Sequence, residues 1–275
     1  MKNIAIIVPV YNESDSLELL YLKLKEVLST LSGYEWRLIF VNDGSVDNSW
    51  EVINRLSEND SRISGLCLSR NFGKEIALTA GVESIEKDVD AVICIDADLQ
   101  HPPGMIPEFI KEWEKGADIV AGIRKEVSGH SLVKTIGSKL FYAIMKRFSD
   151  VNIPPNSTDF RLLDKKVVQT LCRFSERTRM FRGLIDWLGF KKTHLEFSAP
   201  DRQNGNPTYS YKKLFELAIN SITSFSLLPL RLTGYLGILV CVLSGLLLIY
   251  MMITDFLASQ LYTPQAYFAV FNTFL

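Results

Sequence analysis

The stretch VICIDADLQHPP, residues 92–103, combines a buried strand with acidic residues and raises the main functional question about this chain. Its first four residues, Val92 to Ile95, are apolar and have the length of a strand buried on both faces. Two carboxylates, Asp96 and Asp98, follow at once. A buried strand that ends in acidic residues is typical of an α/β sheet with a ligand site at the carboxyl ends of its strands.

Apolar runs and amphipathic stretches alternate along the chain. Short apolar runs predict buried strands, and stretches with a period near 3.6 predict helices. The predicted strands of the first half lie at 4–10, 38–42, 63–68, 91–96 and 119–122, with helices at 15–29, 48–58, 74–86 and 103–115. In the second half we predict helices at 133–148, 165–173 and 180–188 and a strand at 158–163. This alternation indicates an α/β fold with a Rossmann-like, mainly parallel sheet flanked by helices.

Polar clusters follow the first four predicted strands, at the point where each strand ends. They occupy residues 11–13, 42–45, 70–74 and 96–98. The carboxyl ends of parallel strands meet at one edge of a sheet, where ligands bind. A single cluster such as Asn-Asp-Gly-Ser is also ordinary turn chemistry, so the coincidence of four clusters is what predicts a functional site.

Asp96 and Asp98 are the candidate metal ligands. If the strand continues through them, their two-residue spacing places both carboxylates on one face, where they repel each other unless a cation lies nearby. Magnesium and manganese prefer oxygen ligands, and one or two carboxylates completed by substrate phosphates form a usual Mg²⁺ site. Gln100 could add a carbonyl oxygen. A solvated acidic turn is the alternative interpretation of this stretch.

Charge and missing motifs argue against several classes of protein. The 275 residues include 30 basic and 31 acidic side chains, so no overall positive charge favours nucleic acid. A P-loop, a GxGxxG after the first strand and a GxSxG elbow are all absent from the sequence. The three histidines lack the spacing of a zinc site, and the four widely separated cysteines predict buried thiols in a reducing compartment.

The C-terminal part of the chain is strongly apolar. Residues 233–253 carry no charge, and a helix of about 20 such residues spans a hydrocarbon core of about 30 Å. Lys212, Lys213 and Arg231 precede this stretch and Asp255 follows it, so the positive-inside rule places the N-terminal part in the cytoplasm.

We therefore expect three segments. They are a cytoplasmic domain at 1–210, an amphipathic juxtamembrane helix at 211–231 and a transmembrane region at 232–275, with one full helix at about 233–254 and a second, truncated one after it. A helix packed on the N-terminal domain is the alternative for the amphipathic segment.

Six stretches resemble, in order and spacing, the motifs of one enzyme family. They are IIVPVYNE (6–13), FVNDGSVDNS (40–49), LSRNFGKEIALTAG (68–81), CIDADLQHPP (94–103), STDFRLLDKKVV (157–168) and FRGLIDWLGF (181–190). Together they are similar to family 2 glycosyltransferases of the polyprenyl-phosphate type, which include bactoprenol glucosyltransferases and dolichol-phosphate mannose synthases. This resemblance implies a GT-A fold, and the apolar segment resembles the membrane anchor of the bactoprenol branch.

The resemblance also implies roles for individual residues. Those matching the nucleotide-sugar site are Pro9, Tyr11, Glu13, Asp43, Asp96, Ala97, Asp98, Arg124 and Arg202. Asp96, Asp98 and Gln100 would hold Mg²⁺ or Mn²⁺ as the cofactor. Lys134 and Ser138 would bind the acceptor phosphate, and Asp159 matches the carboxylate assigned as base, with Asp98 as the second catalytic residue. Pro207 and Thr208 replace the small hydroxyl residue and the lysine usual in the loop that begins at Arg202.

By resemblance, the expected reaction transfers a sugar, glucose first among the candidates, from a UDP-sugar to undecaprenyl phosphate. It inverts the anomeric carbon, at the cytoplasmic face of the bacterial inner membrane, and serves cell-envelope glycans. A phosphate monoester is mostly dianionic at neutral pH and needs little deprotonation. We therefore hypothesise that Asp159 mainly orients a sugar hydroxyl or a basic neighbour such as Arg161. We expect the lipid bilayer to be a partner and nucleic acid not to be one. The sequence leaves open whether the protein forms a homo-oligomer.

Two other functions stay open. One is a family 2 transferase with another lipid or glycan acceptor, although the QxxRW signature of processive synthases is absent. The other is a catalytically silent membrane protein that binds nucleotide sugars, and the charged metal site argues against it. We assign residues 70–74 no catalytic role and expect them to cap the next helix and shape the rim of the site.

Overall fold

The computed structural model describes residues 1–85, 89–125, 156–174, 181–198 and 228–258, and four single positions after residue 262. The strands in these ranges are β1 (Lys2–Val10), β2 (Tyr34–Asn42), β3 (Ile63–Cys67), β4 (Ala91–Cys94), β5 (Ile119–Arg124), β6 (Ser157–Asp164) and β7 (Lys192–Phe197). The α-helices are α1 (Ser14–Ser29), α2 (Ser49–Asn59), α3 (Lys74–Ser84), α4 (Ile106–Glu114), α5 (Lys165–Cys172), α6 (Phe181–Trp187) and α7 (Leu228–Ala258). A 3₁₀ turn, Pro103–Met105, precedes α4.

The strands of the described ranges form one sheet in the order β3-β2-β1-β4-β6-β5-β7. β1 pairs in parallel with β2 and β4, β2 with β3, and β5 with β7. β6 lies between β4 and β5 and runs antiparallel to both. The predicted Rossmann-like, mainly parallel sheet is confirmed.

Helices cover both faces of the sheet. α1, α2 and α4 pack on one face and α3, α5 and α6 on the other, each over its own apolar cluster. Alternate residues of β1 belong to different clusters, with Ile4 and Ile6 on one face of the sheet and Ala5 and Ile7 on the other. Burial on both faces explains why the central strands are continuous apolar runs rather than alternating ones.

The reversed direction of β6 completes the edge at which β1, β2 and β4 end. Cys94, the last residue of β4, pairs with Arg161 of β6. The four β6 residues before Arg161 therefore extend past the end of β4. This arrangement places Asp159 beside the loop that carries Asp96 and Asp98.

Three sequence predictions need correction. β4 ends at Cys94 rather than at Asp96, so strand alternation does not place Asp96 and Asp98 on one face. β7 was not predicted, because this edge strand is polar and mostly half-exposed or exposed. Cys94 is a buried thiol as predicted, whereas Cys67 is exposed.

The predicted helix at 133–148 and almost all of the predicted juxtamembrane helix lie outside the described residues.

The last helix is long and apolar. α7 includes 31 residues, and its segment Leu230–Leu257 has the length and composition to cross a membrane. Most of its large apolar side chains are exposed to the surroundings of the chain. The predicted apolar helix near 233–254 is therefore present.

Candidate active site

A cavity of about 180 Å³ lies where β4 and β5 end and β6 begins. Its lining residues are Lys74, Asp96, Gln100, His101, Arg124, Ser157, Thr158, Asp159, Arg182 and Phe197. Three of these side chains are cations and two are carboxylates, an excess of positive charge that favours an anionic ligand.

Lys74 joins the two carboxylates of the cavity. It is the first residue of α3, and its Nζ lies 2.7 Å and 2.9 Å from the two carboxylate oxygens of Asp96. The same ammonium lies 2.7 Å from Asp159 Oδ2. Burial alone would lower the pKa of Lys74, but the two carboxylates outweigh it and raise that pKa above its ordinary value.

Asp159 is held on its other side by Arg182. Arg182 Nε donates to Asp159 Oδ1 at 3.1 Å, and Arg182 Nη1 donates to the Ser157 carbonyl at 2.7 Å. The Asp159 side chain is only 4% exposed. Burial alone would raise the pKa of Asp159, but the charges of Lys74 and Arg182 hold it well below its usual range. Asp159 is therefore an ionised carboxylate fixed between two cations.

A second, fully buried ion pair lies beside the first. Arg161 donates from Nη1 to Asp186 at 3.1 Å and from Nη2 to Ser157 Oγ at 2.8 Å, with both side chains of the ion pair completely buried. Asp159 and Arg161 are two residues apart on β6, and Arg182 and Asp186 are four residues apart on α6, so each pair of side chains lies on one face of its element. Each element therefore contributes one acidic and one basic residue to the two ion pairs, Asp159 with Arg182 and Arg161 with Asp186. The basic neighbours that contact Asp159 are thus Lys74 and Arg182 rather than the predicted Arg161.

The loop after β4 is fixed by His101. The backbone N–H of Asp96 donates to His101 Nδ1 at 3.1 Å, and the buried imidazole stacks on Phe160 with ring centres 5.2 Å apart. Burial lowers the pKa of His101, which suits a neutral ring that accepts this hydrogen bond. Leu99 has a φ of 61°, a left-handed conformation that is uncommon for a residue with a side chain and recurs at functional sites.

The predicted metal ligands offer oxygens near the cavity. Asp96 and Gln100 line it, and Gln100 Oε1 accepts from Arg124 Nη1 at 3.1 Å. Asp98 is half-buried and accepts the Gln100 backbone N–H at 3.1 Å. No group of three or more His, Cys, Asp or Glu that could hold a metal occurs in the described residues. Two carboxylates and a carboxamide fit a Mg²⁺ or Mn²⁺ site that substrate oxygens complete.

Arg124 has a buried donor atom that is suited to binding an anion. Its Nε is buried and finds no hydrogen-bond partner within the described part of the chain. A buried donor that lacks a partner is costly, and a phosphate oxygen would satisfy it. This observation fits the assignment of Arg124 to the predicted nucleotide-sugar site.

Four residues that match the predicted nucleotide-sugar site lie at the same edge of the sheet but outside the lining of the cavity. Asp43 is 2% exposed, and its two oxygens accept the backbone N–H groups of Phe72 and Gly73, both at 2.8 Å. Lys74 follows Gly73 directly and contacts Asp96 and Asp159. Asp43 therefore holds the backbone just before the lysine that pairs with these two carboxylates. The remaining residues of this set occupy β1 or the loop after it; they are Pro9, which is buried, Tyr11, which is exposed, and Glu13, which is half-buried.

Three of the predicted site residues, Lys134, Ser138 and Arg202, lie outside the described residues. Ala97 is buried next to Asp96. The roles of all these residues stay predictions.

Two charged residues of the cavity, Lys74 and Arg182, have no predicted catalytic role from the sequence. Lys74 belongs to the cluster expected to cap the next helix and shape the rim, and Arg182 lies in the FRGLIDWLGF stretch. The position of Lys74 after β3 and of Arg182 inside a family motif was the sequence signal that could have indicated a site residue. Only their contacts with Asp159 in the folded chain show that both belong to the cavity.

Comparison with known proteins identifies relatives over most of the chain. The sequence model of glycosyl transferase family 2 matches residues 5–172, more than half of the chain. An uncharacterized glycosyltransferase of Synechocystis is 42% identical over 241 residues, which cover 88% of this chain and 75% of that protein. The prophage bactoprenol glucosyl transferase homolog of Escherichia coli is 37% identical, covering 86% of this chain and 76% of that protein. The bactoprenol glucosyl transferase of Shigella phage SfX is 37% identical, with 88% and 79% covered.

The fold also resembles a solved structure. Glucosyl-3-phosphoglycerate synthase from Mycobacterium tuberculosis, in complex with Mn²⁺ and uridine-diphosphate-glucose, aligns with a TM-score of 0.52 at 15% identity. The alignment covers 80% of this chain and 77% of that one. At this identity the comparison addresses the fold, and it agrees with the GT-A architecture expected from the sequence motifs.

Proposed function

This chain belongs to glycosyl transferase family 2, and from that premise we propose that it transfers glucose from UDP-glucose to a polyprenyl phosphate. The supporting observation is the cavity in which Asp96 and Asp159 face Lys74, Arg124 and Arg182 at the carboxyl edge of the sheet. Relatives named bactoprenol glucosyl transferases supply the choice of sugar and lipid. Undecaprenyl phosphate is the proposed acceptor.

The proposed reaction needs a site that tolerates two anionic substrates. An oxygen of the acceptor phosphate attacks the anomeric carbon, the bond from that carbon to the UDP oxygen breaks, and UDP leaves with inversion. Arg124, whose buried Nε faces no partner in the described chain, is the proposed contact for the donor diphosphate. In the proposal Lys134 and Ser138 hold the acceptor phosphate. Cations around two anions lower the repulsion that opposes their approach.

Asp159 is proposed to orient rather than to take a proton. A phosphate monoester with a second pKa near 6 is mostly dianionic at neutral pH, so the nucleophile needs no base. Contacts with Lys74 and Arg182 keep Asp159 ionised and fixed. A carboxylate in this state suits the positioning of cations and of a donor hydroxyl.

Mg²⁺ or Mn²⁺ is proposed to bind at Asp96 and Asp98 with help from Gln100. Bound there with the donor diphosphate, the cation would stabilise the negative charge that develops on the departing UDP. The related fold crystallised with Mn²⁺ and uridine-diphosphate-glucose is consistent with this choice. The protein supplies few ligands itself, which fits a metal that arrives with its substrate.

Membrane attachment is the last part of the proposal. A polyprenyl phosphate stays in the bilayer, so an enzyme that uses it gains from an anchor. α7 has the required length, and the proposed arrangement places residues 1–210 at the cytoplasmic face of the bacterial inner membrane, 211–231 at the interface and 232–275 in the membrane. The product would feed cell-envelope glycans.

The test measures lipid-linked sugar directly. Membranes containing the protein are incubated with radiolabelled UDP-glucose and undecaprenyl phosphate, with and without EDTA, and the labelled lipid is extracted. We expect EDTA-sensitive labelled lipid from UDP-glucose. Parallel reactions with UDP-N-acetylglucosamine and UDP-galactose test the sugar. Absence of metal-dependent labelled lipid with every donor would refute the proposed function.

A further inference from the structure

Lys74 occupies the position from which a cation would approach Asp96. Both carboxylate oxygens of Asp96 lie within hydrogen-bond distance of its Nζ, at 2.7 Å and 2.9 Å. Mg²⁺ binds carboxylate oxygens at about 2.0–2.1 Å. A divalent ion on the same oxygens would therefore stand within a few ångströms of the ammonium.

We propose that Lys74 is an internal counter-ion that a divalent metal must displace from Asp96, so that the metal binds tightly only together with the nucleotide diphosphate. The inference rests on the proposed function and extends it to the order in which the ligands assemble. In this arrangement Lys74 is a positioning residue, because it acts through Asp96 and Asp159.

Electrostatics gives the reason for the coupling. Two cations that share one partly buried carboxylate repel each other, and the effective dielectric constant of such a site is well below that of water. A diphosphate adds negative charge next to Asp96 and offsets this repulsion. The metal and the nucleotide should therefore favour each other's binding, by an amount that Lys74 increases.

Geometry allows Lys74 to release Asp96 without losing its charge partner. Its Nζ also contacts Asp159 Oδ2 at 2.7 Å, so the ion pair with Asp159 can stay while the contact with Asp96 breaks. The Lys74 side chain is 40% exposed and carries a flexible four-carbon stem. Arg182, which also holds Asp159, is bonded in addition to the Ser157 carbonyl and is fixed more firmly.

The same contacts define the role of Lys74 when no metal is bound. Without Lys74, Asp159 would keep its contact with Arg182, but Asp96 would lose the ammonium that contacts both of its oxygens and would share one small cavity with a like charge. Lys74 offsets this repulsion until the substrate complex arrives. A metal ion that binds Asp96 without a diphosphate would gain little binding free energy, because it would have to replace the ion pair between Lys74 and Asp96.

The experiment measures Mn²⁺ binding rather than turnover. The full chain in detergent is titrated with Mn²⁺, with and without UDP, and free Mn²⁺ is followed by its paramagnetic resonance signal against protein-free UDP samples. Lys74→Gln removes the counter-ion and keeps a polar side chain, and Lys74→Arg keeps the charge. Lys115→Gln is the matched control, because Lys115 pairs with Glu112 on the surface outside the cavity. Asp96→Asn removes the ligand, and thermal unfolding checks that each variant is folded.

Without UDP we expect Lys74→Gln to bind Mn²⁺ about tenfold more tightly than the wild type, a size usual for coupling between neighbouring sites. Lys74→Arg and Lys115→Gln should match the wild type, and Asp96→Asn should bind more weakly than any of them. Adding UDP should tighten Mn²⁺ binding more in the wild type than in Lys74→Gln.

Two results would overturn the inference. One is a folded Lys74→Gln protein whose Mn²⁺ affinity without UDP equals or falls below that of the wild type. The other needs no variant: a wild-type affinity for Mn²⁺ that is the same with and without UDP. Labelled-lipid synthesis measured in parallel separates the two proposals. Metal coupling through Lys74 without any lipid product refutes the proposed function alone, and lipid synthesis without that coupling refutes this inference alone.

Discussion

Asp159 on β6 and Arg182 on α6 form a 3.1 Å ion pair at the wall of the cavity. The aspartate is almost fully buried, whereas the arginine side chain is 27% exposed and lines the cavity. The pair therefore connects a fixed carboxylate to a cation that a substrate can reach. A role for Asp159 in orientation follows from this contact more directly than a role as a base.

Loss of Arg182 should reduce catalysis more than binding. In Arg182→Met we expect kcat to fall about 100-fold, the size of a misplaced reacting group, with a smaller change in KM for UDP-glucose. Arg182→Lys should recover only part of the rate, because one ammonium cannot reproduce the contacts with both Asp159 and the Ser157 carbonyl. Steady-state kinetics of labelled-lipid synthesis measure both constants. Arg173→Met, at an exposed position after α5, is the control and should keep wild-type rates.

The buried pair of Arg161 and Asp186 should matter for stability. Asp186→Ala leaves the guanidinium of Arg161 buried without its carboxylate, which typically costs about 3–5 kcal/mol of folding free energy. Thermal unfolding of the purified protein should show a large drop in midpoint. Arg55→Ala removes an exposed ion pair with Glu18 and should change the midpoint little. Equal midpoints for Asp186→Ala and the wild type would contradict the structural role.

The glycine in the loop after β2 should be essential for the site. Gly44 has a φ of 65°, and a Cβ there would lie 2.4 Å from the backbone carbon of Arg70. In Gly44→Ala the two loops must separate, which weakens the bonds from Asp43 to the N–H groups of Phe72 and Gly73. We expect a loss of about 1–3 kcal/mol in stability and weaker UDP binding by calorimetry. Gly33→Ala is a useful comparison, since its φ is also positive but no atom lies within 4 Å of the added Cβ. UDP affinity unchanged in Gly44→Ala would argue against the link between the loops.

Sequence patterns predicted the fold well where the signal is local. Buried parallel strands such as β1 are continuous apolar runs, and their carboxyl ends are marked by polar clusters. β7 escaped prediction because an edge strand with exposed polar side chains lacks that signal. The end of β4 was misplaced by two residues, since Ile95 is apolar and buried although it follows the strand.

The sequence indicated part of the cavity but not all of its cations. Of the predicted site residues, Asp96, Gln100, Arg124 and Asp159 line the cavity, whereas Asp98 and Asp43 are not part of its lining, and the roles of all of them stay predictions. The contact between Lys74 and Asp159 joins residues that are far apart in the sequence, and no local period encodes it. A lysine at the start of a helix looks like any surface lysine until the sheet places it opposite two carboxylates.

The low pKa of Asp159 predicts how its contribution to stability depends on pH. A carboxyl group whose pKa is lowered on folding stabilises the protein above its ordinary pKa, near 3.9, and loses that effect as pH falls through the lower folded value. The difference in thermal midpoint between the wild type and Asp159→Asn should therefore stay constant from about pH 8 to 5 and shrink only below about pH 4. Tryptophan fluorescence during heating measures it. A difference that already shrinks between pH 7 and 5 would mean that Lys74 and Arg182 do not control this carboxyl group.

Activity across pH provides a separate test of Asp159. If Asp159 orients its partners, Asp159→Asn should lose activity by a similar factor at pH 6.5 and pH 8.5. A general base would behave differently, because a higher pH supplies the deprotonated acceptor without it. Labelled-lipid rates at the two pH values decide the matter, and a large loss that pH 8.5 restores would refute the orienting role.

Replacement of Asp98 separates its proposed metal role from a structural one. Asp98 Oδ1 accepts the backbone N–H of Gln100, and an asparagine Oδ1 can accept the same bond, so Asp98→Asn should fold and unfold like the wild type. Removal of one charged metal ligand should nevertheless lower the rate of lipid synthesis by at least about 100-fold. EDTA should abolish wild-type activity, and added Mg²⁺ or Mn²⁺ should restore it in the wild type but only weakly in the variant. Near-normal synthesis by Asp98→Asn in limiting metal would show that this carboxylate does not hold the cation.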